Sequence, residues 1–319
     1  FVDSFQVLAD WKTMTGIRTT VVNVDDIIAN YEAPDLAGRI REFLRHAYVY
    51  WGISYALMGG DTDLLPVAYA HTLFQSYPLG VDIATDNYYA CLDGSWNADG
   101  DHMIGEADDE VDLEPDVYFG RLPAASAAEA GLMARKAIWY AGGEPDRFRR
   151  DYQQDISFWA EALFWANQDI DRTWTGDCGT LYLDGAVIAD SLYNILPVSL
   201  QDQTAMLLET HNCWTSEPYF PLPLDREAVV DDFNGGRHFV THVGHGHRNL
   251  RAVGAEHDKI YNIDADNMMN GDRLSILYGL VSELAPGMRP LDVVGPYVLA
   301  FLQVLPPKPP PRPPAPRAA

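Results

Sequence analysis

The chain has 319 residues, 47% of them hydrophobic and 12% aromatic, and carries a formal net charge of −24 at pH 7. That balance marks an ordered globular protein and excludes a nucleic-acid binder, because phosphate contacts need clustered Lys and Arg. Three cysteines are too few for a disulfide scaffold, and no apolar run reaches the roughly 18 residues of a membrane helix.

The sequence starts at Phe1 rather than Met, so any targeting segment would lie outside it. "FVDSFQVLADWKTMTG" spaces Phe1, Phe5, Leu8 and Trp11 along one helical face and stops at Gly16. "TTVVNV" is β-branched and reads as a buried strand. "LAGRIREFLRHAYVYW" has Leu36, Ile40, Phe43, Leu44, Ala47 and Tyr48 on one side of a second helix, and "ISYALMGGD" is a strand closed by a glycine turn. Strand, helix, strand in this order predicts a parallel sheet with right-handed crossovers.

A Gly- and Asp-rich region follows from Asp82 to Asp116, ending near the strand-like "VYFG". Ser126 and Glu129 form a capping box for the helix "AAEAGLMARKAIWYAGG". Beyond it, "FWAEALFW" reads as apolar core, "DREAVVDDFNGG" as a helix, "RHFVTHVG" as a strand, "DADNMMNGD" as a short helix or turn, and "LSILYGL" as a buried strand. The fold class is therefore α/β, with an N-terminal subdomain over 1–110, a second over 111–305 and a Pro-rich tail over 306–319.

"FVTHVGHGHRNL" carries the sharpest chemical signal. His245 sits between Gly244 and Gly246 just past the end of a buried strand, where parallel sheets gather catalytic groups. The Gly246 N–H is left uncovered as an oxyanion donor, and the next strand ends near Ser282. The plainer alternative is a histidine that merely turns the chain. A zinc hydrolase is a third reading, with His242, His245 and His247 joined by Glu256 or Asp258, although no HExxH is present and His242 and His245 would face opposite ways on a strand.

In "DGSWNADGDHMIGEADDEVD", Asn97, Asp99 and Asp101 alternate, with Glu106 and Asp108 beyond. Hard oxygen donors at every second position suit a calcium loop, and a solvated acidic loop is the alternative. No organic cofactor motif is present, and nothing in the sequence speaks to oligomeric state.

"FVTHVGHGHRN" resembles the segment around the catalytic histidine of the gingipain-type cysteine peptidases. "WKTMTGIRTTVVNVDDI", "YALMGGDTDLLPV", "ATDNYYACLDGSWNADGD", "PDVYFGRLP" with "ARKAIWYA", and "NIDADNMMNGDRLSILYG" resemble that family in the same order, over roughly residues 1–282. The resemblance implies a caspase-like parallel-sheet sandwich of two stacked subdomains, hydrolysis of peptide bonds in a protein or peptide substrate, secretion and a structural calcium ion. It also implies His245 as the catalytic histidine and Asp116 as the acid that orients it. The backbone N–H groups of Gly246 and Ser282 would form the oxyanion hole. Asp61 and Asp86 match family positions too, with turn capping as the default.

The family nucleophile is a cysteine after the strand matching "LSILYGL", yet no cysteine follows Cys213. Ser282, in "LVSELAPGM", stands at the matching position, and Leu284 is a weaker alignment. Three readings compete: a serine nucleophile, a catalytically silent binding module, or a truncated or frameshifted C-terminus. The last is favoured, because the motif loss and the proline tail begin together. Cys91 and Cys213 read as buried structural thiols.

Overall fold

The computed structural model describes residues 1–281 apart from 75–76, 102, 145–150, 165–173, 176–180, 211–220, 248–249 and 255–257. Within this range the chain forms two compact units, divided between Gly143 and Glu144. The sequence had suggested a division near residue 110. The boundary moves because Tyr118–Leu122 pairs in parallel with Tyr55–Gly59, and because Ala134 and Ile138 of the helix Ala127–Tyr140 pack with Leu8 of the helix Val2–Met14. Residues 111–143 therefore belong to the first unit.

Most elements of the first unit follow the apolar periodicity. Val2–Met14 and Leu36–His46 are helices, the latter capped by Asp35, whose carboxylate accepts from the Gly38 N–H. The capping box forms with a small shift: Ser126 Oγ accepts from the Glu129 N–H, while the Glu129 carboxylate accepts from the Ala125 N–H. "TTVVNV" is not a strand. It runs as an irregular segment whose last residue opens the helix Val24–Asn30, and Asn23 caps that helix by accepting from the Asp25 N–H. β-branched residues favour a strand only where a neighbouring edge is available, and a capping asparagine tips this segment the other way. Ala68–Phe74 and Tyr77–Thr85 form an antiparallel pair that leads into the Gly- and Asp-rich region.

The second unit is built on a five-stranded parallel sheet. Across the sheet the strands run Leu222–Pro223, Thr204–Leu208, Ile156–Ala160, Phe239–Gly244 and Ile276–Val281. Alternation along the strands sorts the core into two layers. Trp159, Leu207, Val240 and Leu277 pack with Val229 and Phe233 of the helix Arg226–Asn234. On the opposite face, Phe158, Ala160, Met206, Leu208 and Val243 pack with Ala186, Ala189 and Tyr193 of the helix Gly185–Ile195. Each large apolar side chain buried this way contributes about 1.5–3 kcal/mol, so the sheet is a rigid platform.

Chain order along this sheet reverses beside its first strand. From Ile156–Ala160 the chain steps outward through Thr204–Leu208 to Leu222–Pro223, then returns to the other side for Phe239–Gly244 and Ile276–Val281. Crossovers diverge at such a point and leave a crevice at the carboxyl ends of the two central strands. Among the described residues no helix is long and apolar enough to cross a membrane.

Candidate active site

Glu161 and His245 are the residues that immediately follow those two central strands. The Glu161 N–H donates to the Val243 carbonyl (2.9 Å), which carries the sheet ladder to its last step and fixes the backbone of the glutamate. Its carboxylate then accepts the His245 backbone N–H at 2.6 Å, and the His245 Nδ1 lies 3.2 Å from the same oxygen. The second carboxylate oxygen lies 3.4 Å from the Gly254 N–H.

A carboxylate only accepts, so its contact with the ring assigns the proton to Nδ1 and makes Nε2 the basic nitrogen. The glutamate side chain is 5% exposed and the histidine side chain 43% exposed. One partner is thus fixed in the protein while the other is open to solvent. Burial alone would push the Glu161 carboxyl up. The hydrogen bonds from the His245 ring and backbone, with His242 nearby, outweigh it and hold the group below the usual carboxylate range.

The glycines here are spatial necessities. A Cβ on Gly244 would come within 2.4 Å of a Glu161 carboxylate oxygen and 2.7 Å of His242 Nε2. Beneath the pair lies His242, fully buried, with Nε2 2.9 Å from the Ala252 carbonyl and Nδ1 3.3 Å from the Arg251 guanidinium. Both ring nitrogens are engaged, which removes His242 from the proposed zinc set. Asp258 is likewise committed, accepting the backbone N–H groups of Arg226 (2.7 Å) and Lys259 (3.0 Å). The His247 side chain and Glu256 lie outside the described residues.

The other sequence-derived residues are placed as follows. Asp116 is a buried residue of the first unit, and one of its carboxylate oxygens accepts from the N–H groups of Leu92 (2.6 Å) and Asp93 (3.2 Å). Its observed bonds hold a loop, and the carboxylate hydrogen-bonded to His245 is Glu161. Gly246 pairs with Arg251 in a short antiparallel ladder, whose flanking bond runs from the Ala252 N–H to the His245 carbonyl (3.0 Å). Ser282, Leu284, Cys178 and Cys213 lie outside the described residues. Val281, just before Ser282, is in register with Gly244, just before His245.

Cys91 is fully buried, and burial followed by the charge of Asp116 pushes its thiol up to about 12, which suits a structural role. Asp61 accepts from the N–H groups of Asp63 and Leu64 and caps a turn. Asp86 is held by two bonds from Arg121, at 2.8 and 2.7 Å.

Glu161 lies inside "FWAEALFW", an apolar run that reads as core, so the sequence alone does not single it out. Its burial directly after five buried strand positions is intelligible only from the donors that residues 245 and 254 bring to it.

In the acidic loop, donor oxygens of Asp99, Asp101 and Glu106 all lie within 4.8 Å of one another. Partial burial, then Asp101 and Asp99, raise the Glu106 carboxyl above its ordinary range. Asn97 is used locally, accepting from the Gly100 N–H (2.8 Å) and donating to the Asp101 carbonyl (2.8 Å). Asp108 is an exposed residue of the short 3-10 turn Ala107–Asp109.

The model of peptidase family C25 matches residues 1–281. An uncharacterized protein of Archaeoglobus fulgidus is 23% identical over 265 residues, which cover 77% of this chain and 54% of that protein. The structure of the complex of Porphyromonas gingivalis RgpB pro- and mature domains shares 17% identity at a TM-score of 0.52, covering 86% of this chain and 52% of that one. The Arg-specific cysteine proteinase gingipain R shares 18% at 0.52, covering 86% and 51%. The chain thus spans about half the length of the relatives it matches. At these identities the structures show the fold: α/β with a parallel sheet, as in the caspase-like gingipains.

Proposed function

The chain belongs to peptidase family C25, and from that premise we propose that it descends from, and is built as, a hydrolase of peptide bonds in protein substrates. The observation that carries the reading is the Glu161–His245 pair at the reversal point of the parallel sheet. Glu161, rather than Asp116, holds the ring. Nε2 then takes a proton from a nucleophile as it attacks the substrate carbonyl, and returns it to the departing amine. The Gly246 N–H and the N–H of residue 282 are the donors offered to the developing oxyanion.

Position 282 follows the strand next to that of His245, as a nucleophile must. It holds a serine, whose hydroxyl ionises far less readily than the thiol this family uses. That difference favours a second reading, a catalytically silent member that retains the acid–base pair and binds polypeptides. The two are separated by converting Ser282→Cys in the full chain and adding a peptidyl acyloxymethyl ketone. Peptidase architecture predicts a covalent adduct at position 282 and peptide hydrolysis, both lost on adding His245→Ala. A folded Ser282→Cys variant with neither property leaves only the silent module.

Calcium is the metal we propose for the acidic loop. Three carboxylates converge with hard oxygen donors, and after burial it is the charges of Asp101 and Asp99 that raise Glu106, a repulsion that a divalent cation would offset. Asp99, Asp101 and Glu106 would hold it, with Asn97 shaping the turn. Its role would be to order this loop. An extracellular location is the expectation that accompanies the family.

A further inference from the structure

We propose that the first unit carries a second binding site, an aromatic pocket for a basic side chain. The helix Leu36–His46 does not end at its last α turn. It continues as a π-helical turn, Ala47–Trp51, closed by Gly52 at φ 66°. One extra residue per turn rotates Tyr50 and Trp51 out of the register that would fold them back on the helix, and both are exposed, at 76% and 51%. Such turns are retained against their poorer hydrogen bonding mostly where a site needs them.

Beside this turn lies a cavity of about 440 Å³, walled by Asp26, Asn30, Tyr31, Phe43, His46 and Trp51. The rings stand edge to face around the space instead of stacking to fill it. Tyr31 and Phe43 have centroids 5.7 Å apart at 75°, and Phe43 and Trp51 are 5.6 Å apart at 75°. His46 joins the wall, with its Nδ1 2.5 Å from the Tyr31 hydroxyl.

Aromatic faces are electron-rich, and Asp26 adds a carboxylate on an exposed helix turn. No Lys or Arg contributes to the wall. Two arginines of the adjoining helix are engaged elsewhere, Arg39 with the Ile28 carbonyl and Arg45 with Glu42. Val22 and Ile27 complete the wall with apolar surface.

A box of rings, an acid at one side and an aliphatic wall fit one class of guest: a guanidinium or ammonium on a hydrocarbon stem, the side chain of Arg or Lys. A protein of net charge −24 would favour its approach. That the guest belongs to a polypeptide rests on the peptidase reading, whereas the preference for a basic group does not. None of the wall residues belongs to the Glu161–His245 pair.

Calorimetric titration of the full chain at low salt tests the site. The probes are N-acetyl-arginine amide, N-acetyl-lysine amide and the neutral isostere N-acetyl-citrulline amide. Both cations are expected to bind saturably, and citrulline about tenfold more weakly. Asp26→Asn should weaken cation binding by about the same factor. Trp51→Leu should do likewise, while Trp51→Phe, which keeps a π face, should retain most of the affinity. His245→Ala should leave binding unchanged, so this site stands or falls apart from hydrolysis. Equal binding of citrulline, an unaffected Asp26→Asn variant, equal loss in Trp51→Phe and Trp51→Leu, or no binding of either cation overturns the proposal.

Discussion

At the scale of single residues, the site is a problem of keeping ionisable groups buried without penalty. Glu161 solves it by collecting donors from three directions, and His242 solves it by staying neutral. Burial, then the nearby Arg251 charge, push the His242 imidazole down to about 4. In the unfolded chain it would titrate near 6.5. Between those values the unfolded chain binds a proton that the folded one does not, so stability is complete above about pH 6.5 and falls as pH drops toward 4. The loss should approach about 3 kcal/mol, at roughly 1.4 kcal/mol per pH unit. Urea unfolding at pH 7, 5.5 and 4.5 measures it, and His242→Gln should flatten the slope by one proton. His245 was legible in the sequence because two glycines flanked it. Glu161 was not, since its reason for being there is a donor set brought from residues 245 and 254, which no local pattern announces.

At the scale of elements, periodicity locates the helices Val2–Met14, Leu36–His46, Ala127–Tyr140 and Arg226–Asn234, because amphipathic spacing is a local property, but it does not single out Gly185–Ile195. The three inner strands of the five-stranded sheet include Thr204–Leu208, which no sequence pattern singles out, and "TTVVNV" reads as a strand that does not form. Both errors have one cause: strand identity depends on who lies alongside, and neighbours are set by topology. The turn after Leu250–Ala252 shows how tightly topology binds the site. Gly254 has φ 113°, and a Cβ there would come within 1.8 Å of the Leu224 carbonyl oxygen. Gly254→Ala therefore demands that two backbones separate, in a conformation that side chains disfavour. The expected loss is about 2–4 kcal/mol, read from the unfolding midpoint. A ring-carbon NMR shift of His245 should move as well, because the Gly254 N–H holds the same carboxylate.

At the scale of the whole molecule, the two units divide the labour. The first contains the acidic loop and the aromatic pocket, and the second contains the Glu161–His245 pair. Calcium at a hundredfold excess over its dissociation constant should stabilise the first unit by about 2.7 kcal/mol. Calorimetric scans with calcium and with a chelator check this. A shift is expected in the transition of the first unit and none in that of the second, and Asp101→Asn should abolish it. The separation of Glu161 from His245 has a consequence for biosynthesis. The partners stand 84 positions apart along the polypeptide, and the strand carrying the imidazole is laid down fourth of five. A nascent chain still lacking that strand holds the glutamate without its imidazole, so three of the five strands leave the ribosome before the pair can form. The connectivity itself acts as a timer, keeping the two partners apart until the fourth strand has been synthesised.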